Sequence, residues 1–213
     1  MRSTDAYGSL LGMGRPVLST RDAADRLRLS LPTANRLLGR LTSAGLALGL
    51  RHGLWSLQPK IDPLSLPEYL TAPQPAYVSL QSALWLRGVI EQVPTVIYVV
   101  SLGRPGRIET SVGTFSVHRV PPELFGGFEI IEPGGIHLAT PEKALVVTIY
   151  LSNARSRLFA HWPEIDLSPP FDPARARAFV QRIPDPRRRA WVGLRLESAL
   201  SEAGARLSAV VGR

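Results

Sequence analysis

The sequence predicts a mixed α+β protein, and three features of its patterning support this class. Apolar side chains recur at helical spacing within the first 45 residues. The middle of the chain contains short β-branched runs that are typical of strands, such as Thr95–Val100. Helical spacing returns near the end, over about Asp172–Arg182 and Pro186–Leu207. We therefore expect helices at both ends and strands between them.

Composition limits the class of protein before any motif is considered. The chain has 213 residues, of which 45% are hydrophobic and 20% are charged, as is ordinary for a folded soluble protein. It contains no cysteine, which excludes disulfides and thiolate metal sites. Its longest apolar stretches, Thr95–Val100 and Ala144–Leu151, are far shorter than the roughly 20 residues of a membrane helix. No apolar run follows Met1–Asp5 as in a signal peptide, so we expect a cytoplasmic protein without a membrane partner.

The net charge of +8 is distributed unevenly along the chain. Residues 1–60 hold nine Arg or Lys against three Asp or Glu, residues 61–150 hold five against eight, and residues 151–213 hold eleven against six. Local clusters of cations are typical of nucleic-acid-binding proteins. Lysine occurs only at Lys60 and Lys143, so nearly all the positive charge is guanidinium, which bonds phosphate and guanine through a planar fork. A genome rich in GC also explains the preference for arginine, but it explains the uneven distribution less well.

The first 60 residues predict three helices. The first lies within Thr4–Met13, and Val17-Leu18 forms an extended step after it. Ser19 or Thr20 caps the second helix, whose first turn contains an acidic residue as the helix dipole favours. The third helix begins at Ser30-Leu31-Pro32, because a capping residue followed by proline in the first turn favours a helix start.

The third helix has two contrasting faces. Ala34, Leu37, Leu38 and Leu41 recur at i, i+3, i+4 and i+7, and we expect them in the core. The opposite face is cationic and rich in hydrogen-bonding groups. After it, residues 46–57 predict a β-hairpin with a basic tip. The candidate DNA-binding residues on the helix and the hairpin are Ser30, Thr33, Asn35, Arg36, Arg40, Ser43, Arg51 and His52.

This order of helices and hairpin predicts a winged helix-turn-helix in residues 1–62. In such a domain the third helix enters the major groove. Arg36 and Arg40 are then candidates for guanine or phosphate, Asn35 for adenine, and Ser30 or Thr33 for a phosphate at the helix start. The alternative for each of these residues is an ordinary solvated helix face.

The rest of the chain predicts a linker and a second domain. Residues 63–76 are rich in proline and form the linker, which we expect to pack on the first domain. Residues 77–213 form a mixed α/β domain with a helical end. We expect a helix over Tyr77–Gly88, strands over 95–100 and 114–120 joined by a turn at Gly103–Gly106, strands over 128–131 and 136–139, and a helix from Thr140 to about Leu151.

Several pieces of this pattern resemble the abortive-infection AbiEi-like antitoxins of type IV toxin–antitoxin systems and their stand-alone regulator relatives. The resemblance covers roughly residues 10–152. It rests on the winged helix together with Tyr77–Leu84, Glu91–Pro94 and Ala139–Leu145. It implies that the first domain binds repeated operator DNA in its own promoter and represses the operon, and that the second domain counteracts a nucleotidyltransferase-like toxin. The alternative is a winged-helix transcriptional regulator without a toxin partner. We expect a monomer in solution.

The sequence carries no catalytic or metal-binding pattern. His52, His118, His137 and His161 lack the spacing of metal ligands, and no glycine pair matches a phosphate-binding loop. Glu142 and Lys143 are adjacent at a helix start, where Glu142 suits the helix dipole and Lys143 is expected to reach a neighbouring carboxylate. We therefore expect a protein that is not an enzyme and needs no cofactor or metal. A metal-dependent nuclease that uses Glu129, Glu132, Glu142 and Lys143 is the competing hypothesis.

A second basic cluster lies near the start of the last helix, where the helix dipole disfavours cations. An additional contact with DNA or another anion would explain it, and a solvated basic turn is the alternative. The cluster consists of Arg187, Arg188 and Arg189.

Overall fold

The computed structural model describes residues 3–152, 165–167 and 170–211. Within these ranges the chain is a mixed α+β protein with two separate sheets, as the sequence predicts. The helices are α1 (Ser3–Leu11), α2 (Thr20–Leu27), α3 (Leu31–Ser43), α4 (Pro67–Thr71), α5 (Leu80–Leu86), α6 (Pro141–Ser152), α7 (Pro173–Gln181) and α8 (Pro186–Val211). The strands are β1 (Val17–Ser19), β2 (Leu48–Arg51), β3 (Leu54–Ser56), β4 (Ala76–Val78), β5 (Ile97–Ser101), β6 (Gly106–Thr110), β7 (Gly113–Arg119), β8 (Phe128–Ile131) and β9 (Ile136–Ala139). None of these helices has the length and apolar character of a membrane span.

The smaller sheet belongs to the first 57 residues. Its order is β1-β3-β2 with antiparallel pairs, and Val17 lies opposite Ser56. Helices α1, α2 and α3 pack together over it around a core that includes Leu10, Leu38 and Leu41. One hydrophobic cluster thus holds the three helices, and Trp55 of the hairpin packs against it.

The larger sheet has the order β6-β7-β5-β4-β9-β8. Strand β4 lies in its interior, antiparallel to β5 and parallel to β9, where Val78 is opposite Leu138. Helices α5 and α6 pack against each other, and α7 and α8 pack on α6. Most residues of α6 are buried, so this helix is the centre of the second half.

The structure corrects the expected helix over Tyr77–Gly88. Residues 76–78 form β4, and helix α5 begins only at Leu80. Leu80 has a φ of 54°, in the left-handed region that non-glycine residues rarely adopt, and this turns the chain from the strand into the helix. The strand was hidden because its three residues are all buried, so no alternation of polar and apolar residues marks it.

The structure also corrects the connection between the two predicted central strands. A further strand, β6, follows the expected turn at Gly103–Gly106 and forms a hairpin with β7. Strands β5 and β7 are consequently parallel neighbours rather than the two arms of one hairpin. Strand β6 lies at an edge of the sheet and is mostly exposed, which weakens its apolar signal.

The segment expected to be a linker packs between the two sheets. Asp62 caps a short 3₁₀ turn, and helix α4 follows. Leu66 and Leu70 are buried in a cluster that joins the two halves of the chain. The other buried members of this cluster are Val17, Leu50, Ala76, Val99, Phe115 and Val117.

Candidate nucleic-acid interface

Helix α2 begins with a complete capping box. The Ser19 hydroxyl accepts a hydrogen bond from the Asp22 N–H at 3.0 Å, and the Asp22 carboxylate accepts from the Ser19 N–H at 2.8 Å. Partial burial raises the pKa of the Asp22 carboxyl, but the bonds from Ser19 and the charge of Arg15 outweigh this effect. The net pKa therefore lies below its ordinary value. The carboxylate form is the one that holds the helix start.

The turn between α2 and α3 leads to a helix start that has no side-chain cap. Arg28 ends α2 in the left-handed conformation, with a φ of 53°. Ser30 occupies the N-cap position of α3, but its hydroxyl lies 2.8 Å from the Thr33 hydroxyl and caps no backbone N–H. The first N–H groups of α3 therefore retain their capacity for an acceptor such as a phosphate oxygen.

Helix α3 buries the face that the sequence predicts. Ala34, Leu37, Leu38 and Leu41 are all buried. On the opposite side Asn35, Arg36, Arg40 and Ser43 are exposed. Two of these exposed side chains are oriented by local bonds. Arg36 Nε donates to the Pro32 carbonyl at 3.4 Å and Ser43 Oγ donates to the Gly39 carbonyl at 3.2 Å.

The β2–β3 hairpin is fastened to the start of α2. The Thr20 N–H donates to the Gly53 carbonyl at 3.0 Å, and the Trp55 indole N–H donates to the Thr20 hydroxyl at 2.9 Å. These bonds fix the hairpin turn at the beginning of α2. Arg51, the last residue of β2, and His52, in the turn, are the predicted basic tip, and both are exposed.

Two exposed arginines, one in the first turn of α2 and one directly after the helix, were not among the site residues predicted from the sequence. Arg21 directly follows Thr20, to which the hairpin turn is bonded, and Arg28 forms the turn before α3. Their positions in the sequence could have indicated them. Arg21 follows the predicted cap of α2, and Arg28 lies in the predicted turn before the recognition helix of a helix-turn-helix. Both are further exposed cations in the helical part of the first half.

In the second basic cluster, two arginines bond to carbonyls of the chain itself. Arg188 Nη2 donates to the Tyr150 carbonyl at 2.7 Å, and its guanidinium lies 3.9 Å from the centre of the Tyr150 ring. Arg189 donates to the carbonyls of Ile183 and Pro184. These carbonyls lie in the last turn of α6 and just beyond α7, where cations are favoured. Arg187 is exposed.

The expectation for Lys143 was wrong. Its side chain is buried, and its Nζ donates to the Leu124 carbonyl and lies 5.0 Å from the centre of the Phe179 ring. Within the described residues no carboxylate oxygen lies within 4.0 Å of this nitrogen. The physical reason is that α6 is enclosed, so the side chain ends at a backbone carbonyl of the core. Burial lowers the pKa of Lys143 to about 7, and the nearby charge of Arg182 acts in the same direction.

Glu142, the neighbour of Lys143, is also buried and holds the start of α7. Its Oε1 accepts a hydrogen bond from the Asp172 N–H at 3.1 Å. Its Oε2 lies 3.9 Å from Arg175 Nη1. Glu142 thus fastens the start of α7 to α6, and Lys143 contacts α7 through the Phe179 ring.

No group of three His, Asp or Glu side chains in the described part of the chain is arranged to hold a metal ion. His161 lies outside the described residues. Neither the protein-family models nor the curated proteins compared with this sequence match it.

Proposed function

We propose that this chain is a sequence-specific DNA-binding protein. Helices α1–α3 and strands β1–β3 would form a winged helix-turn-helix, with α3 as the recognition helix and the β2–β3 hairpin as the wing. The observation that carries the proposal is the exposed face of α3. It combines two guanidinium groups, an amide and two hydroxyls with a helix start that no side chain caps.

The positions on α3 suggest distinct roles. Arg36 is nearer the helix start, which enters the groove most deeply, so we assign it to a base edge. Arg40, one turn later, and Arg51, in the wing, are assigned to phosphates. Asn35 suits adenine, and the hydroxyls of Ser30 and Thr33 suit a phosphate at the helix start.

We further propose that the protein acts as the antitoxin of a type IV toxin–antitoxin system. The resemblance of residues 10–152 to AbiEi-like antitoxins supports this role. So does the acidic balance of residues 61–150, which suits a protein partner better than DNA. The second candidate is a transcriptional regulator of the same architecture without a toxin. Co-expression with a nucleotidyltransferase-like protein encoded beside this gene distinguishes them, because only the antitoxin restores growth.

DNA binding is tested by selecting duplexes from a randomised library with the full chain. Binding of the enriched duplex and of the chain's own promoter is then measured over a salt series. Arg36→Ala is expected to weaken binding by about 1–3 kcal/mol and to relax preference at one base pair. Arg40→Ala and Arg51→Ala are each expected to weaken binding to all sequences alike. Each should also reduce the slope of log affinity against log salt concentration by about one.

Arg195→Ala is the control for charge, because Arg195 is an exposed arginine on α8, remote in sequence from the interface. It should bind DNA as the wild type does. If no duplex is enriched, or if all three interface variants bind as tightly as the wild type, the proposed DNA-binding function is wrong.

A further inference from the structure

The wing contains a β-bulge directly before its exposed arginine. In the pairing of β2 with β3, Gly49 lies opposite Trp55 and Arg51 lies opposite Leu54. Leu50 is therefore an extra residue without a partner in β3. A bulge of this kind bends the strand and changes the direction of the side chains that follow it. The direction of Arg51 thus depends on what holds the bulge in place.

A residue of the second half holds this bulge. The Ser111 N–H donates to the Leu50 carbonyl at 2.8 Å, and the Ser111 hydroxyl donates to the Gly49 carbonyl at 2.7 Å. Ser111 lies in the β6–β7 turn, which is itself fixed because the Thr110 hydroxyl bonds to the Gly113 carbonyl at 2.8 Å. One serine therefore satisfies two consecutive carbonyls of β2.

The side chain of Leu50 is held as firmly as its carbonyl. It is only 2% exposed and lies in the cluster that joins the two halves, together with Phe115 and Val117 of β7. The bulge is thus fixed on its backbone side by the β6–β7 turn and on its side-chain side by β7. Arg51, one residue further, is exposed.

We propose that Ser111 is a positioning residue for DNA binding: it holds the Leu50 bulge so that Arg51 points at the DNA backbone. This inference rests on the proposed function. It adds that the second half of the chain contributes to the DNA affinity of the first half without touching DNA. A partner that displaced the β6–β7 turn would consequently weaken DNA binding.

The test uses the full chain and the duplex enriched by library selection. Ser111→Ala removes the bond to Gly49 and is expected to weaken binding about five-fold, the effect of one hydrogen bond. The dependence of its affinity on salt concentration should become smaller, as in Arg51→Ala. Ser111→Thr keeps the hydroxyl and should restore binding. Ser198→Ala removes an exposed hydroxyl on α8 and is the control. Thermal melting of each variant reports any general loss of structure.

The double variant decides whether Ser111 acts through Arg51. In the Arg51→Ala background, Ser111→Ala should cause no further loss of affinity. The proposal is overturned if Ser111→Ala binds as the wild type does, if it weakens binding equally in both backgrounds, or if Arg51→Ala has no effect while Arg36→Ala weakens binding. Failure of the proposed function is a different result, in which no duplex is selected or no interface variant changes affinity.

Discussion

Lys143 is a charged side chain in surroundings that oppose its charge. Its Nζ has a backbone carbonyl and an aromatic face as partners, and Arg182 adds a second positive charge nearby. Burying a charge without a counter-ion shifts its equilibrium toward the neutral form. The pKa of about 7 in the folded chain lies below the ordinary value of 10.5.

This difference predicts that stability rises with pH. Between pH 7 and 10.5 the unfolded chain holds a proton on Lys143 that the folded chain has released. The free energy of unfolding should therefore increase through that window, by at most about 1.4 kcal/mol per pH unit. Lys143→Met should remove this dependence and should be more stable than the wild type at pH 6.5. Urea unfolding at several values between pH 6.5 and 9.5 measures both effects.

Lys60→Met provides a matched control, since Lys60 is the other lysine of the chain and is exposed. Its pH profile should follow that of the wild type. If Lys143→Met shows the same profile as well, Lys143 remains protonated in the folded chain and its assigned pKa is wrong.

Helix α3 has a buried side and an exposed side. Leu37 is 3% exposed, whereas Leu31 at the start of the same helix is 47% exposed. Leu37→Ala should lower the free energy of unfolding by about 2–5 kcal/mol, because it leaves a cavity in the core. Leu31→Ala should change it by no more than about 0.5 kcal/mol. Chemical denaturation of both variants tests which side of α3 faces the core. An unfolding curve for Leu37→Ala equal to that of the wild type would contradict the burial of Leu37.

Elements with a periodic apolar pattern could be predicted from the sequence, and elements without one could not. The buried face of α3 follows from its spacing, and the strands over 128–131 and 136–139 have the predicted bounds. Strand β4 was missed because it is buried on both faces and runs directly into a helix. Strand β6 was missed because it is an exposed edge strand of which only Ile108 and Thr110 are partly buried.

The candidate interface was predictable to a similar extent. Local spacing was sufficient to assign Arg36 and Arg40 to the exposed face of α3. The bonds of Ser111 to the β2–β3 hairpin join positions about 60 residues apart, and no local pattern indicates such a pair. The same holds for Lys143, whose carbonyl partner belongs to a turn that precedes it by 19 residues.

At the scale of the molecule, the two halves of the chain share a hydrophobic cluster. Val17 and Leu50 of the first half are 1% and 2% exposed because the second half and the connecting segment cover them. Each contributes about 1.5–3 kcal/mol when its side chain is fully buried. A fragment of residues 1–62 should therefore unfold at a lower temperature than the same residues do in the full chain. Circular dichroism of the fragment and hydrogen exchange of the full chain measure the difference.

A fragment of residues 1–76 separates the contribution of the connecting segment, since it keeps Leu66 and Leu70. Its stability should lie between that of residues 1–62 and that of the full chain. Equal protection of the β2–β3 hairpin from hydrogen exchange in the two fragments and the full chain would mean that the shared cluster does not stabilise the first half.

The sharing of this cluster also sets an order of events during synthesis. The small sheet pairs residues 17–56, so it is complete early, whereas Phe115 and Val117 emerge about 65 residues after Leu50. At about 5–20 residues per second, a ribosome takes roughly 3–13 s to make that stretch. During this interval the apolar side of the hairpin lacks its cover from β7. The nascent chain then presents the kind of transiently exposed apolar surface that chaperones protect.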